Sequence, residues 1–289
     1  MQLLGVTLML VAGLATAGST AEQATAGPTK SRSARPRPAA NRTFIFTAHD
    51  FAYTGLPARL PAGWVTLRMV NAGRELHMFA TSSVPRGYTT RSLETGLLRN
   101  TLPDSLRLEE WGGPNAVAPG DTATVSLFLR PGSYVVGCFV PSADGKLHID
   151  KGMIASFEVA AAADTGAPPP SDGRIMLRTY GIALVGGPPK PGMRTFLVRN
   201  TAKETHDVAI LKVLPGRTVS QALAWFRNPG VGVPAAVSVG GTTGIHTDDR
   251  VFVRAHLTPG RYVLVCWMST KDKYHFDLGM QQAFTVPAA

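Results

Sequence analysis

The segment CFVPSADGKLHIDKGM, which opens at Cys138, is answered in the second half of the chain by CWMSTKDKYHFDLGM, which opens at Cys266. Nine residues separate Cys138 from His148 and four more separate His148 from Met153. In the second segment, eight residues separate Cys266 from His275 and again four separate His275 from Met280. A further histidine precedes each cysteine, His77 by 61 positions and His206 by 60. The same residue types recur in the same order, so the 289 residues read as two copies of one small fold.

The flanking sequence says which fold. Each copy begins with strand-like runs, RTFIFTAHDF and GRIMLRTYGIALVG, and continues through alternating runs, WVTLRMVNAG and RTFLVRNTA, toward the first histidine. A helix-competent stretch follows, TTRSLETGLLRN or TVSQALAWFRN, with a threonine at its start as a candidate N-cap. After Gly-Gly loops (GGPNAVAPG and GGTTGIHTDD) come the strands TATVSLFLR and RVFVRAHLT, and then a Pro-Gly turn into PGSYVVGC or PGRYVLVC. ASFEV and QAFTV close the copies just past each Met. Short strands with turn punctuation predict an all-β chain of two tandem Greek-key β-sandwiches, each with a small helical insertion. The first would span 43–160 and the second 172–289, joined by a Pro-stiffened linker over 161–171.

A thiolate, two imidazoles and a thioether are the ligand set of a mononuclear blue-copper site, in which soft sulfur favours the reduced ion and imidazole serves both oxidation states. Structural zinc sites draw instead on Cys pairs, and neither half contains a CxxC. The rival reading is a Cys138–Cys266 disulfide. Equivalent positions in tandem domains lie about a domain apart, whereas a bridge needs Cα atoms within roughly 7 Å, so the bridge is disfavoured.

NAGRELH, PGSYVVGC…H…GM and PGRYVLVC…H…GM resemble the ligand segments of the cupredoxin (plastocyanin/azurin-like) family, and the resemblance covers both halves. It implies that His77, Cys138, His148 and Met153 bind one type 1 copper, and His206, Cys266, His275 and Met280 a second. It also implies that the last histidine of each set lies near the surface, where partners dock. The Cys-to-His intervals exceed those of small plastocyanin-like proteins and look more like those of copper nitrite reductases.

Catalytic copper clusters need extra histidines, usually one just before the copper cysteine or in His-x-His pairs. Here Gly137 and Val265 precede the cysteines, there is no His-x-His, and only His49, His246 and His256 are left over. The expectation is therefore an electron carrier and not an enzyme. An envelope copper-binding or delivery protein, or a metal-free interaction module, are the alternatives. Residues 1–17 read as a secretory signal ending in Ala15-Thr16-Ala17, and 18–42 as a flexible basic tether, so the protein is expected to be exported, periplasmic or extracellular. No later run approaches the ~20 apolar residues of a membrane-spanning helix.

The formal net charge is +10, and 172–289 carries fourteen Lys/Arg against seven Asp/Glu. An acidic redox partner fits this half, whereas nucleic acid does not fit an exported chain with no basic helix. The second centre is expected to differ from the first, with Tyr274 and Phe276 around His275 where the first has Leu147 and Ile149.

Overall fold

The computed structural model describes residues 41–103, 105–106, 108–227 and 232–288. The signal segment 1–17 and nearly all of the tether lie outside them. The first half contains β1 (Arg42–His49), β2 (Ala52–Thr54), β3 (Arg59–Pro61), β4 (Gly63–Asn71), β5 (Ala80–Ser83), α1 (Thr90–Arg99), β6 (Thr122–Leu129), β7 (Gly132–Gly137) and β8 (Ile154–Ala160). The second contains β9 (Gly173–Arg178), β10 (Gly181–Val185), β11 (Gly192–Asn200), β12 (His206–Val213), α2 (Val219–Arg227) and β13 (Ala236–Ile245). It goes on through β14 (Arg250–Leu257), β15 (Gly260–Val265), β16 (Ser269–Thr270), β17 (Lys273–Tyr274) and β18 (Gln281–Val286). No helix among the described residues is long and apolar enough to cross a membrane.

Alternation builds the sandwich. In β4, Val65, Leu67 and Met69 are buried while Trp64, Thr66 and Arg68 point the other way. In β12 both faces are covered. Val208 and Ile210 join the main core, and Ala209, Leu211 and Val213 pack against Ala222 and Phe226 of α2. Both helices are capped as their sequences predict. Thr89 and Ser92 form a reciprocal capping box for α1, and Gln221 N–H donates to Thr218 Oγ1 at 3.1 Å for α2. The two Pro-Gly turns are held by tyrosine corners. Tyr134 OH donates to Arg130 O at 3.0 Å and Tyr262 OH to Thr258 O at 2.8 Å, a Greek-key sandwich signature.

The halves are fused along both layers. One layer is a single eight-stranded sheet in the order β10-β9-β11-β14-β6-β4-β1-β2. At its centre β14 and β6 run antiparallel with Val253 opposite Val125, its own equivalent in the other half. In the other layer the segment 110–115 pairs with β13, through Gly112 N–H to Gly244 O at 2.8 Å and Thr243 N–H to Gly113 O at 2.9 Å. GGTTGI is therefore strand and not loop, which corrects the sequence reading. Gly240 and Gly241 take φ of +129° and +146° within β13, and the β12–β13 register shifts between His206 and Val208 and again between Ala209 and Leu211. One buried core runs through both halves and includes Cys138, Met153, Cys266 and Met280.

Candidate metal centres

Each centre is assembled from a strand-end loop and the segment that follows the cysteine strand. In the first half, Asn71 ends β4 and is fully buried. Its Nδ2 donates to Glu75 O and Val117 O, both at 2.8 Å, and its Oδ1 accepts from Gly73 N–H at 2.9 Å. This clamp coils NAGRELH so that His77 turns inward. Asn200 does the same in NTAKETH, donating to Glu204 O at 2.7 Å and Ile245 O at 2.9 Å. The second ligand segments are held by identical main-chain bonds although their lengths differ by one residue. Cys138 N–H donates to Met153 O and Met153 N–H to His148 O; Cys266 N–H donates to Met280 O and Met280 N–H to His275 O. Left-handed Gly152 and Gly279 close the short helical turns after each histidine.

The outcome is two near-equivalent pockets. His77 Nδ1 lies 3.0 Å from His148 Nδ1, and Cys138 Sγ lies 4.0 and 3.4 Å from them. His206 Nδ1 lies 3.0 Å from His275 Nδ1, and Cys266 Sγ lies 3.8 and 3.5 Å from them. Both cysteines are free thiols, and every one of these six side chains, with Met153 and Met280, is at most 2% exposed. His148 and His275 are thus buried, which corrects the expectation of a surface histidine. An aromatic edge covers each. Phe51 meets the His148 ring at 5.2 Å and Tyr180 meets the His275 ring at 5.3 Å. Both aromatics sit in the left-handed region, at φ of +68° and +50°, a conformation that costs a non-glycine residue about 1–2 kcal/mol.

Protonation states follow from burial. Burial pushes the Cys138 thiol up to about 12 against the N–H groups of Met78 and Val140, and pushes Cys266 well above its ordinary value with the help of Asp207. Burial also lowers His77, His148 and His275, and lowers His206 to about 4 with a contribution from His275. Neutral imidazoles and a protonated thiol therefore line each pocket, and releasing the thiol proton requires a compensating cation.

The tautomers of the first centre point to the same cation. Burial favours a protonated Asp50, but Arg74 N–H, the Arg74 guanidinium and the His77 ring hold its carboxyl down to about 2. This carboxylate only accepts, so His77 Nε2, 3.1 Å away, carries the proton and Nδ1 is bare. Glu75 holds His148 likewise, 3.0 Å from its Nε2. Two bare Nδ1 lone pairs 3.0 Å apart beside a thiol fit a soft metal ion, copper above all.

Among the described residues no carboxylate bonds an imidazole of the second centre: Glu204, the counterpart of Glu75, accepts instead from the Thr179 hydroxyl at 3.3 Å. Thr179 stands where the first has Asp50, and Ala202 where it has Gly73. A Cβ on Gly73 would lie 2.4 Å from His77 Nε2 and 2.5 Å from Asp50 Oδ1, so only glycine leaves room for that pair. His206 Nε2 is buried without a partner among the described residues, and His275 Nε2 bonds the Thr270 hydroxyl at 2.8 Å. Beside Cys266 lies a buried acid, Asp207, which accepts from Trp267 N–H at 2.7 Å; burial raises it to about 6. Of the residues named from sequence, the structure brings together His77, Cys138 and His148, and His206, Cys266 and His275, with Met153 and Met280 buried at the ends of the same segments; Asp50, Asn71, Asn200 and Asp207 were missed. The shared pattern Asn-x-x-x-Glu-x-His was the available signal for the two asparagines.

No family model matches the sequence, and no curated protein does. Solved structures similar to the chain include an auracyanin from Roseiflexus castenholzii, 20% identical over 42% of this chain and 99% of that one, with a TM-score of 0.30. A blue copper oxidase from Nitrosomonas europaea is 14% identical over 86% of each chain, with a TM-score of 0.25. A copper-containing nitrite reductase from Thermus scotoductus is 13% identical over 86% of this chain and 62% of that one, also at 0.25. The chain's own topology, tyrosine corners and paired Cys-His-His pockets recur in both halves, as the repeat in its sequence implies.

Proposed function

We propose that this protein holds one copper ion in each half and serves outer-sphere electron transfer outside the cytoplasm. The observation that carries this is the convergence, twice, of two imidazole Nδ1 atoms and one thiol in a fully buried pocket. His77, Cys138 and His148, with Met153 as a weak fourth ligand, would hold the first ion; His206, Cys266 and His275, with Met280, the second. Bound there, copper supplies a one-electron change of oxidation state with little rearrangement of its ligands. The protein excludes water and keeps each imidazole in one orientation.

A carrier reading suits these pockets better than an enzyme reading. The donors come wholly from the protein, and half-buried aromatic rings lie edge-on over the His148 and His275 imidazoles, whereas catalysis at a metal needs a position open to substrate. Among the described residues, His49, His246 and His256 belong to neither donor group. The excess of basic charge in 172–289 suits an acidic redox partner, and Tyr180, over His275, is the ring such a partner would meet.

Metal analysis and an optical spectrum of the purified chain test this reading. Two copper ions per chain and an intense thiolate-to-copper band are expected. Cys138→Ser and Cys266→Ser should each remove one ion, and the double variant should lose the band. Tight copper(I) uptake without a band would favour copper delivery instead, and no uptake would refute both. Nitrite reduction or phenol oxidation by the loaded protein would overturn the carrier reading.

A further inference from the structure

Asn115 belongs to the first half, yet its side chain serves the second. It is 2% exposed, and its Nδ2 donates across the seam to Val208 O and to Thr242 O, both at 3.1 Å. Within its own half its Oδ1 accepts only from the neighbouring Ala116 N–H, at 2.7 Å. Val208 and Thr242 face each other where the β12–β13 register breaks, immediately after His206. Asn115 therefore staples the two strands at the irregularity that aims His206 inward. The residue between His206 and Val208 is Asp207, the acid packed beside the Cys266 thiol.

The reverse contact is weaker. Thr243, the equivalent of Asn115 in the second half, reaches back to Phe79 O and Gly113 O at 3.5 Å, the outer limit of a hydrogen bond. We infer that Asn115 is a positioning residue of the second metal centre, so that this centre is completed by the first half of the chain and depends on it more than the first centre depends on the second half. The inference rests on the copper reading above. A buried carbonyl deprived of its donor keeps the full cost of desolvation, so the strand end must move to recover a partner. Loss of such an outer support typically weakens metal binding 10- to 100-fold.

The test uses the full chain with one centre retained at a time. Asn115→Leu, or Asn115→Ser where leucine prevents folding, is placed in the Cys138→Ser background, which keeps the second centre, and in the Cys266→Ser background, which keeps the first. Copper(I) affinity is measured by chelator competition and the midpoint potential by optical titration. The second centre should bind at least roughly tenfold more weakly and shift in potential, while the first changes less than about twofold. In the metal-free proteins, alkylation of Cys266 by iodoacetamide should accelerate and that of Cys138 should not. Equal changes at both centres, as general destabilisation would give, or none at either, would overturn the inference. If no copper binds, the carrier reading fails while the thiol comparison still decides the role of Asn115.

Discussion

Gly113 and Gly241 are the points where each half presses closest on a first-histidine strand, and replacing either by alanine should be costly for a calculable reason. A Cβ on Gly113 would lie 1.9 Å from Phe79 O, and one on Gly241 would lie 2.0 Å from Val208 O; both glycines hold positive φ, near +148° and +146°. Cβ atoms essentially never come within 3.0 Å of such an atom, so the strands must separate by about 1.1 Å, and the obstruction is backbone that cannot rotate away. At Gly113 that separation breaks or strains three bonds of 2.8–2.9 Å, namely Phe79 N–H to Pro114 O, Thr243 N–H to Gly113 O and Gly112 N–H to Gly244 O. At about 1 kcal/mol net for each bond and about 1–2 kcal/mol for the backbone, the loss is about 4–5 kcal/mol. That is a large part of the 5–15 kcal/mol typical of a folded protein. Gly120→Ala is the control. Its φ is +81° with nothing within 4 Å of the added carbon, so only the backbone cost of about 1 kcal/mol remains. Urea unfolding of the full chain measures all three. If Gly113→Ala fell within about 1 kcal/mol of Gly120→Ala, the seam would be looser than this geometry states.

Two further outcomes follow from the seam and the first centre. Burial, and then Asp207, raises Glu110 to about 7, so the folded chain keeps a proton that the unfolded chain releases near 4.5. The stability this contributes is present below pH 4.5 and lost as pH rises to 7; Glu110→Gln should therefore match the parent at pH 4 and exceed it by up to about 3 kcal/mol at pH 8 in urea unfolding, and a constant difference would refute this. Gly73→Ala should push Asp50 off His77 and copy the second centre, so that nitrogen NMR of the metal-free chain shows His77 losing its fixed Nε2–H form, whereas an unchanged tautomer would show that Asp50 does not hold it.

The sequence carried most of what lies along one continuous segment. Cys138, His148 and Met153 are held by bonds among themselves, so their spacing is their geometry, and the same is true of Cys266, His275 and Met280. The capping threonines were equally legible, because each acts on a residue three positions on; the tyrosine corners, though local, were not read from sequence. What escaped depends on partners distant in the chain. Asp50 looks like a solvated turn residue until Gly73 and His77 are seen around it. The left-handed backbone that lays Phe51 and Tyr180 over the histidines has no sequence signature, since neither residue favours it. GGTTGI reads as a loop because it pairs on one side with β12 across two register shifts and on the other with the other half's 110–115 segment, and such pairing is made by backbone groups common to every residue.

The pairing of Val125 with Val253 sets a residue against its own counterpart, the relation found in a two-fold interface between identical subunits. Here a peptide linker joins the two sides, so an association that would otherwise weaken with dilution has become intramolecular, at an effective concentration fixed by the linker. In the other layer, the contact of the 110–115 segment with β13 adjoins both the residues that follow His77 and β12, which carries His206, so both keep their support however scarce the protein is. At high dilution the chain retains both pockets for the same reason that it retains its fold.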